Sequence, residues 1–147
     1  MVSRPGPTGC ALFLLCCMGP VLFIHMAPIS VRDLRSIIIE LKVSSQKLLD
    51  SYKEQGLPPT GFQLPSFTAA CQHLRLHHNG SAVLPYVRAA RPLLQDKPEF
   101  HYIVQQLSKL SLPRAPEASV AVPTDSFDYK RFVLAVLNEF SDCMKRL

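Results

Sequence analysis

Apolar residues between positions 30 and 147 recur at intervals of three, four and seven, and this spacing limits the fold more than any other feature of the chain. An α-helix of 3.6 residues per turn gathers residues with these intervals on one face, whereas a β-strand needs alternation of apolar and polar residues. No strand-like alternation of useful length is present. The sequence therefore predicts an all-α fold in which amphipathic helices bury their apolar faces against one another.

Four helices are predicted, at residues 30–55, 81–94, 98–110 and from 124 to 147. Ser30 can cap the first helix, and Gly56 ends it. Pro85 and Pro92 lie within the second helix, where a proline removes a backbone hydrogen bond, so this helix is expected to be short and irregular. Pro98 suits the first turn of the third helix.

The lengths of the connections predict the topology. The first link has about 25 residues, the second has three, and the third has about a dozen with three prolines. Twelve extended residues reach about 40 Å, which exceeds the length of about 36 Å of a 24-residue helix. Two long crossovers flanking one short link predict an up-up-down-down four-helix bundle.

The N-terminal segment has the order of a secretory signal peptide. Arg4 gives a positive start, an apolar run at 11–24 follows, and the expected cleavage lies between Phe23 and Ala27. The alternative is a retained membrane anchor, but Gly19 interrupts a run that is already near the lower limit of about 17 residues for a membrane span. A secreted protein that does not insert into the membrane after signal removal is therefore expected. The predicted organisation is a signal peptide at 1–25 and one helical domain at 26–147.

Cysteine usage agrees with export. Three of the five cysteines lie in the predicted signal peptide, which leaves Cys71 and Cys143, and one disulfide between them is the simplest outcome in an oxidising compartment. A zinc site is the alternative, because His73, His77 and His78 lie close to Cys71 in the sequence. Structural zinc sites usually have two separated ligand pairs, and no second pair is visible here, so no metal is expected.

Composition and motifs argue against several classes of function. The chain has no glycine-rich phosphate loop, no G-x-S-x-G motif and no H-E-x-x-H motif, so neither catalytic residues nor a cofactor are predicted. The formal net charge of +5 comes from scattered basic residues without an aromatic-interleaved stripe, which argues against nucleic-acid binding. Asn79 begins an N-glycosylation triplet with Gly80 and Ser81, and this predicts a glycosylated surface loop.

The outward faces of two predicted helices suggest a binding surface. On the first helix, Ile39 and Val43 point away from the apolar stripe and lie next to Glu40. On the third helix, Tyr102 and Gln106 belong to the outward set, and an exposed tyrosine is a favoured interface anchor. Incidental exposure of single apolar residues is the alternative. If their exposure is not incidental, Ile39, Glu40, Val43, Tyr102 and Gln106 form a joint surface that binds a partner.

Several irregular segments resemble a known family. They are APE at 115–117, VPTD at 122–125, KRFVL at 130–134 and FSDCM at 140–144, with IIEL at 38–41, SAVLPY at 81–86 and QLSKL at 106–110. Together they closely resemble the interleukin-31 family of interleukin-6-type helical cytokines. The resemblance covers nearly the whole chain and is weakest between residues 56 and 78.

The resemblance implies a monomeric secreted cytokine that is not an enzyme. It implies that the protein brings together two cell-surface subunits, the interleukin-31 receptor subunit and the oncostatin M receptor subunit. The outcome would be intracellular kinase and STAT signalling in immune and itch responses. In that family one subunit meets the first and third helices, where Glu40 matches an acidic position, and the other meets the start of the fourth, where Lys130 matches a lysine. The candidate receptor-binding residues are Ile39, Glu40, Val43, Tyr102, Gln106 and Lys130.

Three positions depart from the family pattern. Tyr129 stands where the family often has a cysteine, and Tyr102 and Gln106 stand where some members have acidic or histidine side chains. The latter two bear on receptor affinity and species preference. From a different functional class, the alternative hypothesis is a secreted lipid-binding carrier whose amphipathic helices open onto lipid.

Overall fold

The computed structural model describes residues 29–53, 56, 63–112 and 119–147, and every regular element within these ranges is a helix. The chain divides into two compact units, residues 1–34 and 35–147. The predicted signal peptide and its cleavage point lie outside the described residues. The six described helices are α1 (Val31–Lys53), α2 (Pro65–His77), α3 (Leu84–Ala89), α4 (Arg91–Leu94), α5 (Pro98–Lys109) and α6 (Ser126–Lys145).

In the first unit, the described residues 29–34 contain the capped start of α1. The Ser30 hydroxyl accepts a hydrogen bond from the backbone N–H of Asp33 at 3.1 Å and donates one to the Asp33 carboxylate at 2.7 Å. This arrangement satisfies a backbone N–H that has no partner within the helix, and it places a negative charge at the positive end of the helix dipole. The cap predicted from the sequence is therefore confirmed.

In the second unit, the apolar stripes of α1, α5 and α6 are buried as their spacing predicts. The buried apolar residues of α1 are Ile37, Leu41, Leu48, Leu49 and Tyr52, and those of α5 are Phe100, Ile103 and Leu107. In α6, the six consecutive residues from 132 to 137 are all buried, so this helix has neighbours on every side over that stretch. Each large side chain buried in this way contributes roughly 1.5–3 kcal/mol.

Contacts across the core show how α1 runs relative to its neighbours. Tyr52 donates a hydrogen bond to the Lys130 carbonyl at 3.0 Å, and Ser141 donates one to the Gln46 side chain at 3.2 Å. The contacts therefore pass backward along α1, from Tyr52 to Gln46, while they pass forward along α6, from Lys130 to Ser141. These two helices are antiparallel.

The same comparison applies to α1 and α5. Lys97, just before α5, donates a hydrogen bond to the Ser51 hydroxyl at 2.7 Å. Farther along α5, Tyr102 lies close enough to Glu40 for that carboxylate to raise the pKa of its phenol, and Glu40 lies eleven residues before Ser51 in α1. These two helices are also antiparallel, so α1 runs opposite to both α5 and α6.

Helix α2 lies within the long link between the first two predicted helices and was not predicted from the sequence. Pro65 occupies its first turn, where the missing N–H costs nothing, and its buried stripe is Phe67, Ala70, Cys71 and Leu74. A disulfide joins Cys71 to Cys143, with their Cα atoms 5.9 Å apart. Closing this 72-residue separation restricts the unfolded chain and is worth about 4 kcal/mol in the chain-entropy model.

The predicted second helix is divided into α3 and α4. Pro85 and Pro92 each lie in the first turn of one of these short helices, where proline is tolerated. Aromatic packing joins α3 to α2, because the Phe67 and Tyr86 rings meet edge to face with centroids 5.2 Å apart. The irregularity expected from the two prolines is therefore confirmed.

A tight turn brings the start of α3 against the end of α5. Gly80 donates its N–H to the Leu110 carbonyl at 3.1 Å, and the backbone N–H of Leu112 donates to the Ser81 hydroxyl at 2.8 Å. A Cβ at Gly80 would lie only 3.3 Å from the Leu107 carbonyl oxygen, so a larger residue would push the turn away from α5.

Candidate functional site

The first candidate surface lies on α1 and α5 and is called the α1–α5 surface; its residues are Ile39, Glu40, Val43 and Tyr102, and Gln106 was predicted to join them. Ile39 and Val43 are 55% and 50% exposed. Their spacing of four residues places them one helical turn apart on the same side of α1. Their predicted outward orientation is confirmed.

Tyr102 links the two helices of this surface. A side-chain hydrogen bond with Glu40 is the largest cause that raises the pKa of Tyr102 above its ordinary value, and the Glu40 charge acts in the same direction. A hydrogen bond with Gln106 acts in the opposite direction. The phenol is protonated at neutral pH, so its hydroxyl can donate to the Glu40 carboxylate across the two helices.

Gln106 differs from its predicted outward position, since it is only 4% exposed. It follows the buried Ile103 by three residues, which places it between the core stripe and Tyr102 around the helix. Its amide oxygen is buried and has no hydrogen-bond partner within the described part of the chain. Gln106 thus supports Tyr102 from beneath and does not itself form part of the outer face.

The second candidate surface is the first two turns of α6 and is called the α6 surface; its residues are Phe127, Lys130 and Arg131. Phe127 is 51% exposed, and Lys130 is exposed beside it. The Arg131 guanidinium lies 5.7 Å from the centroid of the Phe127 ring, and a nitrogen of Arg131 lies 3.6 Å from the Asp128 carboxylate. Phe127 was not among the residues predicted for a site, although its spacing of three from Lys130 was a usable signal.

Backbone contacts hold the α6 surface in place. The Asp125 carboxylate accepts hydrogen bonds from the N–H groups of Phe127 and Asp128, both at 3.0 Å, which caps the helix.

Two tyrosines fasten the same turns to the rest of the second unit. Tyr52 of α1 donates to the Lys130 carbonyl, and Tyr129 donates to the Ala89 carbonyl of α3 at 2.6 Å. Burial, with a smaller contribution from Tyr129, raises the pKa of Tyr52 to about 12, and burial also raises the pKa of Tyr129. Both phenols remain donors at neutral pH, so the start of α6 presents Lys130 from a fixed backbone.

The remaining predicted site residues lie elsewhere. The Asn79 side chain accepts the backbone N–H of Ser81 at 3.0 Å, and Asn79 is partly exposed in the turn before α3. Its glycosylation stays a prediction. The Cys71 sulfur is bonded to Cys143, so it is not a thiolate ligand for the alternative zinc site. Within the described ranges, no group of three or more His, Cys, Asp or Glu side chains is placed to hold a metal ion.

The fold and its surfaces define a class of protein. Helices with buried stripes and a disulfide between α2 and α6 present two surfaces that combine apolar and charged side chains. None of the described helices combines the length and the apolarity needed to cross a membrane. A helical cytokine, which acts by binding, has this construction.

Comparisons with known proteins identify the family. Residues 24–147 match the sequence profile of the family Interleukin 31. Human interleukin-31 is 35% identical over 150 residues, covering 98% of this chain and 90% of the human protein. Mouse interleukin-31 is 32% identical over 158 residues, covering 100% of this chain and 95% of the mouse protein. The chain belongs to the interleukin-31 family, whose members are cytokines and not enzymes. No solved structure matches it.

Proposed function

We propose that this protein is a secreted cytokine that binds two receptor subunits at once. The α1–α5 surface binds the interleukin-31 receptor subunit, and the α6 surface binds the oncostatin M receptor subunit. Their approach activates intracellular kinases and STAT proteins in immune and itch responses. One observation carries the proposal: two surfaces that share no residue each place exposed apolar side chains beside a charge.

The distance between the surfaces favours two separate partners. Glu40 belongs to the first surface, while Tyr52 contacts the backbone of Lys130 in the second. Twelve residues of α1 separate Glu40 from Tyr52, which corresponds to about 18 Å along the helix. Two receptor domains can therefore bind without competing for the same side chains.

The α1–α5 surface has the composition of an interface centre. An aromatic anchor, Tyr102, lies beside two half-exposed β-branched residues, and tyrosine is enriched among residues that dominate binding energy. Its interaction with the Glu40 carboxylate favours one orientation of the ring in the free protein. A restrained side chain loses less entropy on binding, so this pairing favours affinity.

The α6 surface combines a ring with positive charge. Lys130 and Arg131 flank the exposed Phe127, and an acidic partner surface would be attracted to the two cations before contact. Phe127 then supplies apolar area. The charge on this surface is therefore expected to govern the rate of association. The Phe127 ring is expected to govern the rate of dissociation.

The proposal includes an up-up-down-down topology. Helix α1 is antiparallel to both α5 and α6, and the turn at Gly80 returns to the end of α5. A first helix that runs opposite to the third and fourth helices supports this arrangement, in which α3 and α4 together take the place of the second helix.

Secretion completes the proposal, with residues 1–25 as the signal peptide and residues 26–147 as the mature monomer. The family match begins at residue 24, near the predicted cleavage. The Cys71–Cys143 disulfide supports an oxidising compartment. N-terminal sequencing of the protein collected from the culture medium tests this assignment, and a retained apolar N-terminus would contradict it.

Charge reversal at Lys130 tests the two-surface assignment. Surface binding of the oxidised protein to each purified receptor subunit is measured for wild type and for Lys130→Glu. We expect Lys130→Glu to weaken binding to the oncostatin M receptor subunit at least about tenfold and to leave the other subunit within about twofold. Lys145→Glu, at the far end of the same helix, is the matched control and should change neither.

A cell assay completes this test. Cells that carry both receptor subunits are compared with cells that carry either one, with STAT phosphorylation as the readout. Lys130→Glu should reduce phosphorylation in cells with both subunits, and neither single-subunit cell should respond to the wild type. An equal loss of binding to both purified subunits would contradict the separate assignment of the two surfaces.

A further inference from the structure

Two histidines lie together on the exposed side of α2, and neither belongs to a proposed receptor surface. His73 and His77 are four residues apart, so they stand one helical turn apart on one face. Both side chains are exposed, and the neighbouring Leu76 on this face is 63% exposed. The opposite side of α2 carries the buried stripe and the disulfide.

The geometry of the two rings suits a shared metal ion. Their centroids are 5.5 Å apart, and the ring planes are inclined by 44°. A metal bound about 2.0–2.1 Å from one nitrogen of each imidazole would lie about 3.2 Å from each centroid. The observed separation then corresponds to a nitrogen–metal–nitrogen angle of about 120°, close to the tetrahedral value.

The nitrogens of both rings are available. Within the described part of the chain, neither imidazole makes a side-chain hydrogen bond or an ion pair, and the two rings contact each other. By contrast, His101 on α5 is hydrogen-bonded to the Gln95 carbonyl. The pair can therefore rotate toward a common ligand without breaking a contact that holds the fold.

The donor set determines the class of metal. Helix α2 contains no aspartate or glutamate, so the site offers imidazole nitrogen without the carboxylate oxygens that calcium and magnesium require. Imidazole suits zinc and copper, and copper(II) binds more tightly in the general order of divalent metals. Arg75 is the nearest cation in the sequence, but it lines the opposite cleft with Glu139 and Asp142.

We propose that His73 and His77 form a two-histidine chelating site for a borderline divalent transition metal, Zn²⁺ or Cu²⁺. Water fills the remaining coordination positions, since Cys71 is held in the disulfide. This site is separate from the structural zinc site considered from the sequence, because the fold does not depend on it. It spans one turn of α2, so the bound ion holds that turn in its helical conformation.

Metal binding is tested on tag-free, oxidised protein by calorimetric titration with ZnCl₂ in a non-coordinating buffer. Wild type is expected to bind one ion, and His73→Asn or His77→Asn should each weaken binding at least about tenfold, because a chelate is lost. The matched control is His78→Asn. His78 has a left-handed backbone with φ of 51°, which asparagine tolerates, so this variant should bind as wild type does.

A second measurement separates a specific site from surface adsorption. The electron paramagnetic resonance spectrum of the one-to-one Cu²⁺ complex should show coupling to two imidazole nitrogens in wild type and to one in either variant. Far-ultraviolet circular dichroism should be the same for all four proteins without metal. Equal metal affinity in wild type and both pair variants, or a loss on His78→Asn as large as on His77→Asn, would overturn the proposal.

Discussion

The α1–α5 surface and the α6 surface are held in place by different kinds of contact. In the first, side chains interact with one another: the Glu40 carboxylate raises the pKa of the Tyr102 phenol, and the buried Gln106 acts on the same phenol. In the second, the backbone itself is fastened, because Asp125 caps the helix and Tyr52 bonds to the Lys130 carbonyl. A mutation in a surface held by side chains can weaken receptor binding without lowering the stability of the fold. A mutation that releases the backbone of the other surface should lower both receptor binding and stability.

Removal of the Tyr102 ring is expected to give the largest effect. Tyr102→Ala should weaken binding to the interleukin-31 receptor subunit at least about 30-fold, the loss typical of an interface anchor. Binding to the other subunit and the midpoint of urea unfolding should stay near wild type, because the ring lies on the outer face. Surface binding and urea titration measure the two quantities. A large fall in the unfolding midpoint would show that this surface is also tied to folding.

Loss of the α6 cap should affect both stability and binding. Asp125→Ala removes two hydrogen bonds to backbone N–H groups, so the free energy of unfolding should fall by about 1 kcal/mol. Urea unfolding checks the stability change. Binding to the oncostatin M receptor subunit should weaken in parallel, and Asp125→Asn is the control because asparagine also caps helices. If Asp125→Ala lowers stability without any change in binding, the link between this surface and folding is absent.

Removal of a single phenol hydroxyl gives a smaller test. Tyr52→Phe deletes the hydrogen bond to the Lys130 carbonyl and should lower the free energy of unfolding by about 1 kcal/mol or somewhat less. Tyr102→Phe, the matched change on the other surface, should leave stability within about 0.5 kcal/mol of wild type. Thermal and urea unfolding of both variants measure the difference. If Tyr52→Phe and Tyr102→Phe lowered the free energy of unfolding equally, the two surfaces would not differ in how they are held.

The smallest expected effect is a loss of folding stability at alkaline pH, which comes from the two tyrosines that hold the α6 surface. The folded-state pKa values of Tyr52, about 12, and Tyr129 lie above the ordinary value of 10.0, so folding favours the protonated phenols. Their contribution is fully present below pH 10 and is lost as the pH rises from about 10 toward 12. Urea unfolding midpoints across this range should fall less in Tyr52→Phe than in wild type. An identical pH dependence would show that Tyr52 does not carry the effect.

Periodicity predicted the long helices well because each of them buries one continuous stripe. The stripes of α1, α5 and α6 consist of large apolar residues, and the structure buries them. Helix α2 was missed because its stripe includes two small residues, Ala70 and Cys71, between Phe67 and Leu74. A weak stripe next to a proline-rich segment resembles a loop when each residue is judged by its own hydrophobicity.

The exposure of the candidate residues was predicted correctly for residues at the centre of a helix face and incorrectly for a residue at its edge. Ile39 and Val43 point well away from the stripe of α1 and are exposed as expected. Gln106 lies at the border of the α5 stripe, where a neighbouring helix decides whether the residue is covered. Phe127 was not predicted, because it precedes the apolar stripe of α6 and its exposure depends on which residues pack against the first turn.

The order of residues along the chain was enough to establish the all-α class, the capped start of α1, the irregular second helix and the two cysteines that remain for a disulfide. These features depend on local backbone preferences and on spacings within a few turns of helix. Only the tertiary structure decided that Glu40 meets Tyr102, that Tyr52 reaches the Lys130 carbonyl and that Gln106 is buried. Those contacts join residues far apart in the chain, and they depend on how the helices pack, which no local spacing specifies.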